Sequence, residues 1–386
     1  MNTVFTIAKK NIRQYGMLLA LAAAMILFQV LTHGVLMRPI NLTNLILQNS
    51  YILVLAIGML LCILTGNIDL SVGSVVAFVG AISATLMVDK HIPAIPAMII
   101  ALLIGGLIGA WQGYWIAYVK IPAFIVTLAG MLIFRGLALV VLQGQSKGPF
   151  PELFQSLSSG FMNDPFKSEK NIMTIIVGFI AALVIIINEI HKARKQKKFE
   201  FDTLPLWANI AKTFFLVSIV IAFAFVFASY KGIPNILILL FVLIMIYHFV
   251  TSKTIPGRHI YALGGNAKAA KLSGIKTEQV MFWVYTNMGV ISALAGMVFA
   301  ARLNVATPKA GQNFELDAIA ACYVGGASTT GGIGTVLGAI IGGLFMGVLN
   351  NGMSIMGIGI DWQQAIKGFV LLGAVAFDLA SKAKNR

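Results

Sequence analysis

Few residues in this chain are equipped to do chemistry, and most of them sit where a charge is expensive. Asp69 lies in GNIDLSVGS (residues 66–74), Arg135 inside LIFRGLALV, Glu315 and Asp317 in NFELD, and Lys367 and Asp378 near the end of the chain. A charge held at the centre of a bilayer costs at least about 2.5 kcal/mol, so each needs a partner or a way out to water. Beside Ser71 at a helix start, the Asp69 carboxylate would accept amide N–H bonds and offset the helix dipole. A coupling-ion or proton role and contact with a partner are the other readings. Glu315 and Asp317 have the residue types for acid–base work. No histidine or nucleophile stands near them in sequence, and residues two apart do not share a helical face, so capping is the expected role. Arg135 requires an interior acid or carbonyl groups, with Asp69 as a candidate counter-charge. Lys367 and Asp378 are expected to snorkel from span ends.

The missing motifs narrow the field. Gly-Lys occurs nowhere, which removes a phosphate-cradling loop, and HExxH, CxxC and GxSxG are absent too. Cys62 and Cys322 both fall in apolar runs and read as small buried hydrophobes, with no disulfide or metal role. The chain is expected to be no enzyme, to need no cofactor and to take its driving energy from elsewhere, because an ion-coupled carrier normally carries an acid or histidine relay.

The elements around these residues are those of a membrane. Hydrophobic residues make up 59% of the sequence and charged residues 11%, against about 25% charged in a soluble domain. The excess of Lys and Arg, 28 against 13 Asp and Glu, sits in short loops and at the termini. It reads as a topology signal and not as a nucleic-acid surface. The fold expected is a single all-α polytopic membrane domain over residues 1–386, with about 10–12 transmembrane helices. Clear spans are 17–36 (read as an uncleaved first span), 48–65, 72–89, 95–119, 122–143, 172–189, 207–228, 235–251, 280–301, 335–349 and 364–380. A short apolar segment, 315–326, is half of a broken helix or the tail of a tilted one. Basic residues near 9–13, 192–198, 253–276 and 382–386 fall on one side, the cytoplasm with both termini, only if the short segment near Ala320 counts as a crossing. Segments 37–47, 144–171 and 304–314 then face the other side.

Glycine supplies the packing and the breaks. Gly105, Gly109 and Gly113, and Gly334, Gly338 and Gly342, recur every fourth residue and give two smooth helix faces, expected to pack within one subunit. Segments 61–76 and 321–338 match weakly, Cys62 on Cys322 and Gly66 on Gly326, which suggests a parallel internal repeat. Bending is expected at Gly66, Asp69, Ser71 and Gly73 and at Gly325, Gly326, Gly331 and Gly332.

One stretch is polar and basic: 254–278, TIPGRHIYALGGNAKAAKLSGIKTE. Gly264, Gly265 and Asn266 read as a breaker cluster, followed by a short alanine-rich helix that Gly274 closes. A helix held in water between two spans is either a solvated loop that sets orientation or a docking element.

Taken in order, GNIDLSVGS, IPAFIVTLAG with FRGLAL, GRHIYALGGNAKAAKLSGI, ELDAIAACYVGGASTTGGIGTVLG and WQQAIKGFVLLGAV resemble the permeases of bacterial ABC importers for ribose, galactose and xylose, over nearly the whole chain. The resemblance implies that 254–278 is a cytoplasmic coupling loop docking on an ABC ATPase subunit through Gly264, Gly265, Asn266, Lys268, Ala269, Ala270 and Gly274. Ala269, Ala270 and Gly274 keep the spacing of the importer signature, but Lys268 stands where that signature has Glu, which removes the usual salt bridge. The resemblance also implies a periplasmic sugar-binding protein docking on the outer loops, chiefly 144–171 and 304–314, a second permease copy in a homodimer, and the bacterial inner membrane. The extra spans in 172–230, with their basic loop, resemble the longer xylose or multiple-monosaccharide permeases. Asn44, Gln48, Phe124, Thr127 and Asn313 are the expected path-lining residues. A nucleoside importer, an ion-coupled secondary carrier and a membrane scaffold are the competing readings.

Overall fold

The computed structural model describes residues 12–166, 168, 170–198 and 206–384. Lys9, Lys10 and Arg386, used above as topology signals, lie outside the described residues. The helices are α1 (Ile12–Leu31), α2 (Pro39–Leu64), α3 (Val72–Ala84, continued by a π turn Thr85–Asp89), α4 (Ala94–Ala117), α5 (Ala123–Leu142), α6 (Ile172–Lys198), α7 (Leu206–Ala228), α8 (Asn235–Lys253), α9 (Ile255–Gly265), α10 (Ala267–Leu272), α11 (Thr277–Leu303), α12 (Phe314–Val324), α13 (Val336–Ile355) and α14 (Ile360–Lys384). The protein is an all-α polytopic membrane protein. In lipid the backbone must satisfy its own hydrogen bonds, and helices do this segment by segment. Proline marks the starts, inside α2 at Pro39 and immediately before α4, α5 and α8 at Pro93, Pro122 and Pro234, where its missing N–H costs nothing.

Among the described residues, ten helices are long and apolar enough to cross a membrane. α1 contributes a shorter apolar stretch, Gly16–Leu31, and α12 has only 11 residues. Two sequence expectations change here. The segment 37–47 is no loop, because Pro39 starts α2 and its first turns run straight on into the span. The first helix ends at Leu31, not at residue 36, and residues 32–38 turn the chain.

α2 is the axis of the bundle. Of its most apolar window, 78% is buried, against 6% for α7, so α2 is enclosed by protein and α7 faces outward. α8, α11, α12 and α13 surround α2, while α6 and α7 pack mainly on each other as a peripheral hairpin tied by Lys212 to Glu189 at 2.8 Å. Hydrophobic drive between helices is absent in lipid, so close backbone approach must hold the centre. Gly105 and Gly109 of α4 lie on α11, where a Cβ added at Gly109 would meet the Tyr285 carbonyl at 2.3 Å. Gly338 and Gly342 of α13 lie on Gly325 and Ala321. Both smooth faces are spent inside the subunit. Gly334 precedes α13 and lies outside its helical face.

The matched segments share a cap. At the end of α2 the Gly66 N–H donates to Ile63 and the Asn67 N–H to Cys62. At the end of α12 the Gly326 N–H donates to Tyr323 and the Ala327 N–H to Cys322. Gly66 and Gly326 both take the left-handed conformation, φ +80° and +81°, the geometry that closes a helix in this way.

Candidate functional site

Two glycine-rich junctions, one at an end of the bundle and one inside it, gather most of the residues singled out above. The first forms where α9 meets the end of α2. Gly264 lies so close to the Leu64 carbonyl that an added Cβ would come within 1.6 Å of it, and within 2.6 Å of the Gly332 amide. The Gly332 N–H donates to Leu64 at 2.9 Å, and the Tyr261 hydroxyl donates to the Gly334 carbonyl at 2.7 Å. Gly331 borders Gly66 and Gly264 in turn. Coupling-loop and hinge glycines predicted separately are therefore in backbone contact. Gly264 and Gly265 do not break the helix as expected. α9 runs through both. The missing side chain of Gly264 lets it press on α2, an added Cβ at Gly265 would meet nothing within 4 Å, and the break falls at Asn266.

α10 stands out from this junction. The Asn266 side-chain oxygen Oδ1 accepts from the Ala269 N–H at 3.0 Å and starts the helix as an N-cap. Gly274, at φ +84°, follows its end while the Ile275 N–H donates back to Ala270 at 3.1 Å. Ala270 is turned inward, and Lys268, Ala269 and Lys271 are exposed. Lys271 reaches Glu278 of α11 at 2.9 Å, which steadies the helix. Leu272, which sequence reasoning passed over, is 90% exposed, an apolar knob with nothing beneath it. A cavity of about 760 Å³ lies between α9, α8 and α11, lined by Tyr247, Val250, His259, Trp283 and Asn287 among others. It leaves α9 room to shift against those helices.

The second junction is in the middle of the bundle. Asp69 is buried, and its Oδ1 accepts from the Ser71 N–H at 2.8 Å and the Ser71 hydroxyl at 2.6 Å. The Gln112 amide donates to that hydroxyl at 2.8 Å, a partner no local sequence signal indicates. The start of α3 meets the segment before α12 at Gly73 and Gly311, where a Cβ on Gly311 would come 1.8 Å from the Gly73 carbonyl. Arg135 donates to the Ala310 carbonyl. Asp69 is not its counter-charge, because the Asp69 carboxylate is already turned to Ser71. Lys367 does not snorkel either. Its amine lies 2.8 Å from Asp317 Oδ1 across the α12–α14 contact.

The five expected path residues lie on α2, on α5 and before α12. Asn44 and Gln48 are half-buried near the start of α2, Phe124 is exposed at the start of α5, and Thr127 is fully buried with its hydroxyl donating to Ala123 at 2.9 Å. Asn313 precedes α12 and borders a small cavity with Asp317 and Lys367.

The loops 144–171 and 304–314 are joined. Lys147 and Ala306 exchange two backbone hydrogen bonds of 2.9 Å, and the Phe150 N–H donates to the Asn304 side chain at 2.8 Å. Segment 304–314 is more than a surface loop, since Ala306, Ala310 and Gly311 are buried as it dips toward Gly73. In the other loop, slight desolvation of Asp164 is outweighed by donors from the Phe166, Ile172 and Met173 amides and the Ser168 hydroxyl, which hold its carboxyl below the usual range.

A multi-pass helical bundle with half-length helices meeting inside it is the architecture of a solute permease, and comparison with known proteins agrees. The profile of the family described as branched-chain amino acid transport system / permease component matches residues 41–187 and 152–375. The chain belongs to this family. It is 39% identical over 381 residues to the xylose transport system permease protein XylH of Haemophilus influenzae, covering 99% of this chain and 100% of that one. It is 35% identical to XylH of Escherichia coli K12, over 97% of this chain and 94% of that one. The ribose import permease protein RbsC of Haemophilus influenzae is 34% identical, over 88% of this chain and 84% of that one. No solved structure matches the chain.

Proposed function

We propose that this chain is the membrane-spanning permease subunit of an ATP-driven importer for a monosaccharide, xylose or a related pentose, in the bacterial inner membrane. The carrying observation is the build of α9 and α10. A short exposed helix with a bare leucine at its tip is mounted on a helix whose backbone is locked to the ends of α2 and the 325–335 turn. A push on α10 reaches the core without passing through flexible side chains. The alignment with named xylose permeases spans 99% of the chain and that with a ribose permease 88%, which supports a xylose-type substrate.

In this reading a separate ATPase subunit grips α10 from the cytoplasm, where both termini also lie, and hydrolyses the ATP. A periplasmic sugar-binding protein settles on the joined loops 144–171 and 304–314, and two copies of the chain enclose the path. Gly66, Gly331 and Gly332 flex as α9 moves. Lys268, exposed on α10, presents a cation to the ATPase and calls for an acid there.

The test is reconstitution in proteoliposomes with an ABC ATPase and a sugar-binding protein of the xylose type from the same bacterium. Xylose uptake is expected only with all three components and ATP, and uptake by this chain alone overturns the reading. Leu272→Asp is expected to lower uptake and sugar-stimulated ATP hydrolysis about tenfold or more, since burying a leucine at an interface is worth about 1.5–3 kcal/mol. Wild-type stimulation in that variant would remove Leu272 from the contact.

A further inference from the structure

A cavity of about 200 Å³ lies between α12, α13 and α14. Asn313, Asp317, Gln364 and Lys367 supply its polar lining, and Leu316, Met346 and Leu371 are among its apolar walls. The Lys367–Asp317 pair closes one side at 2.8 Å, its side chains 19% and 7% exposed. Asn313 holds the left-handed N-cap position of α12 at φ +63° yet makes no capping hydrogen bond, so its amide is not spent on the helix. Gln364 lies three residues before Lys367, on the same face of α14. A bilayer-embedded ion pair is costly to keep, and such pairs mark solute or ion routes.

These groups form a set that hydroxyls recognise. A carboxylate accepts, an ammonium donates, and two amides do both. The volume equals roughly six or seven waters at about 30 Å³ each, the size class of one pentose ring. The cavity lies at the start of α12, where the segment 304–313 ends.

We propose that Asp317, Lys367, Asn313 and Gln364 form a transient binding site for a polyhydroxylated solute, in which the ion pair opens and exchanges its mutual bond for bonds to the hydroxyls. This rests on the permease reading above and assigns that permease its first stop for sugar inside the membrane. The small cavity and the self-satisfied pair leave the resting site no free charge to offer, so solute is held only in passing.

The test uses the assembled importer in proteoliposomes and reads xylose moved per ATP hydrolysed. Lys367→Gln and Asp317→Asn are each expected to lower that ratio at least tenfold. The exchange Asp317→Lys with Lys367→Asp restores an ion pair between α12 and α14 but reverses it, and the ratio is expected to stay low. Asn313→Ala and Gln364→Ala, which leave the ion pair intact, are expected to lower the ratio severalfold and to blunt discrimination between xylose and a deoxy analogue. Recovery to wild-type ratio in the reversed pair, or a wild-type ratio in the two amide variants, would show the pair to be a strut and overturn the proposal. A wild-type complex that moves no xylose overturns the substrate reading instead, so the two failures are distinct.

Discussion

Gly264→Ala is expected to abolish sugar-stimulated ATP hydrolysis and uptake by the assembled importer, a loss of at least about tenfold. The added methyl group would stand 1.6 Å from the Leu64 carbonyl and 2.6 Å from the Gly332 amide, and backbone atoms cannot rotate away as a side chain would. Overpacking of this kind costs about 1–3 kcal/mol or more. The cheapest escape is for α9 to lift off α2, which cuts the link from α10 to the core. Gly265→Ala is the matched control. It is the next residue in the same helix, its Cβ meets nothing within 4 Å, and it is expected to behave as wild type. Equal activity in the two variants would end the argument for a rigid α9–α2 contact. Gly274 falls between them. Nothing lies within 4 Å of an added Cβ, and only its φ of +84° opposes substitution, at about 1–2 kcal/mol.

The second large effect is expected at Gly311. Gly311→Ala adds a Cβ 1.8 Å from the Gly73 carbonyl in a residue held at φ +71°, so overpacking and left-handed strain act together. The midpoint of thermal unfolding in detergent is expected to fall by about 5–10 °C, with reduced yield of folded protein. Gly73→Ala, which meets the Gly311 carbonyl at 2.1 Å without the φ penalty, is expected to lose less. A midpoint within about 1 °C of wild type for Gly311→Ala would mean that the two segments separate freely.

Most spans were legible because apolar runs of bilayer length have one structural outcome in lipid. The cap at Gly274 and the intrasubunit use of Gly105, Gly109, Gly338 and Gly342 were legible for a related reason, since local geometry and helical periodicity are written in neighbouring residues. What escaped was set by contacts distant in sequence. Gly264 looked like a helix breaker because its reason for being glycine lies 200 residues upstream, at Leu64. Lys367 looked like a snorkelling cation because Asp317 is 50 residues away, and Arg135 was offered the wrong acid because no pattern told which face of α5 meets Ala310. Leu272 was invisible for the opposite reason. A leucine in a short amphipathic stretch is ordinarily buried, and only the structure shows it bare.

The stitching of Lys147 to Ala306 has a consequence for how the face formed by 144–171 and 304–314 can vary. Both bonds run between main-chain groups, which every residue except proline can supply in full. If the proposed binding protein docks there, side chains on that face are free to change and suit a different delivery protein without loosening the seam. An arriving partner that tilts the 144–171 lobe drags residue 306 with it, and five residues further on that tug arrives at Gly311.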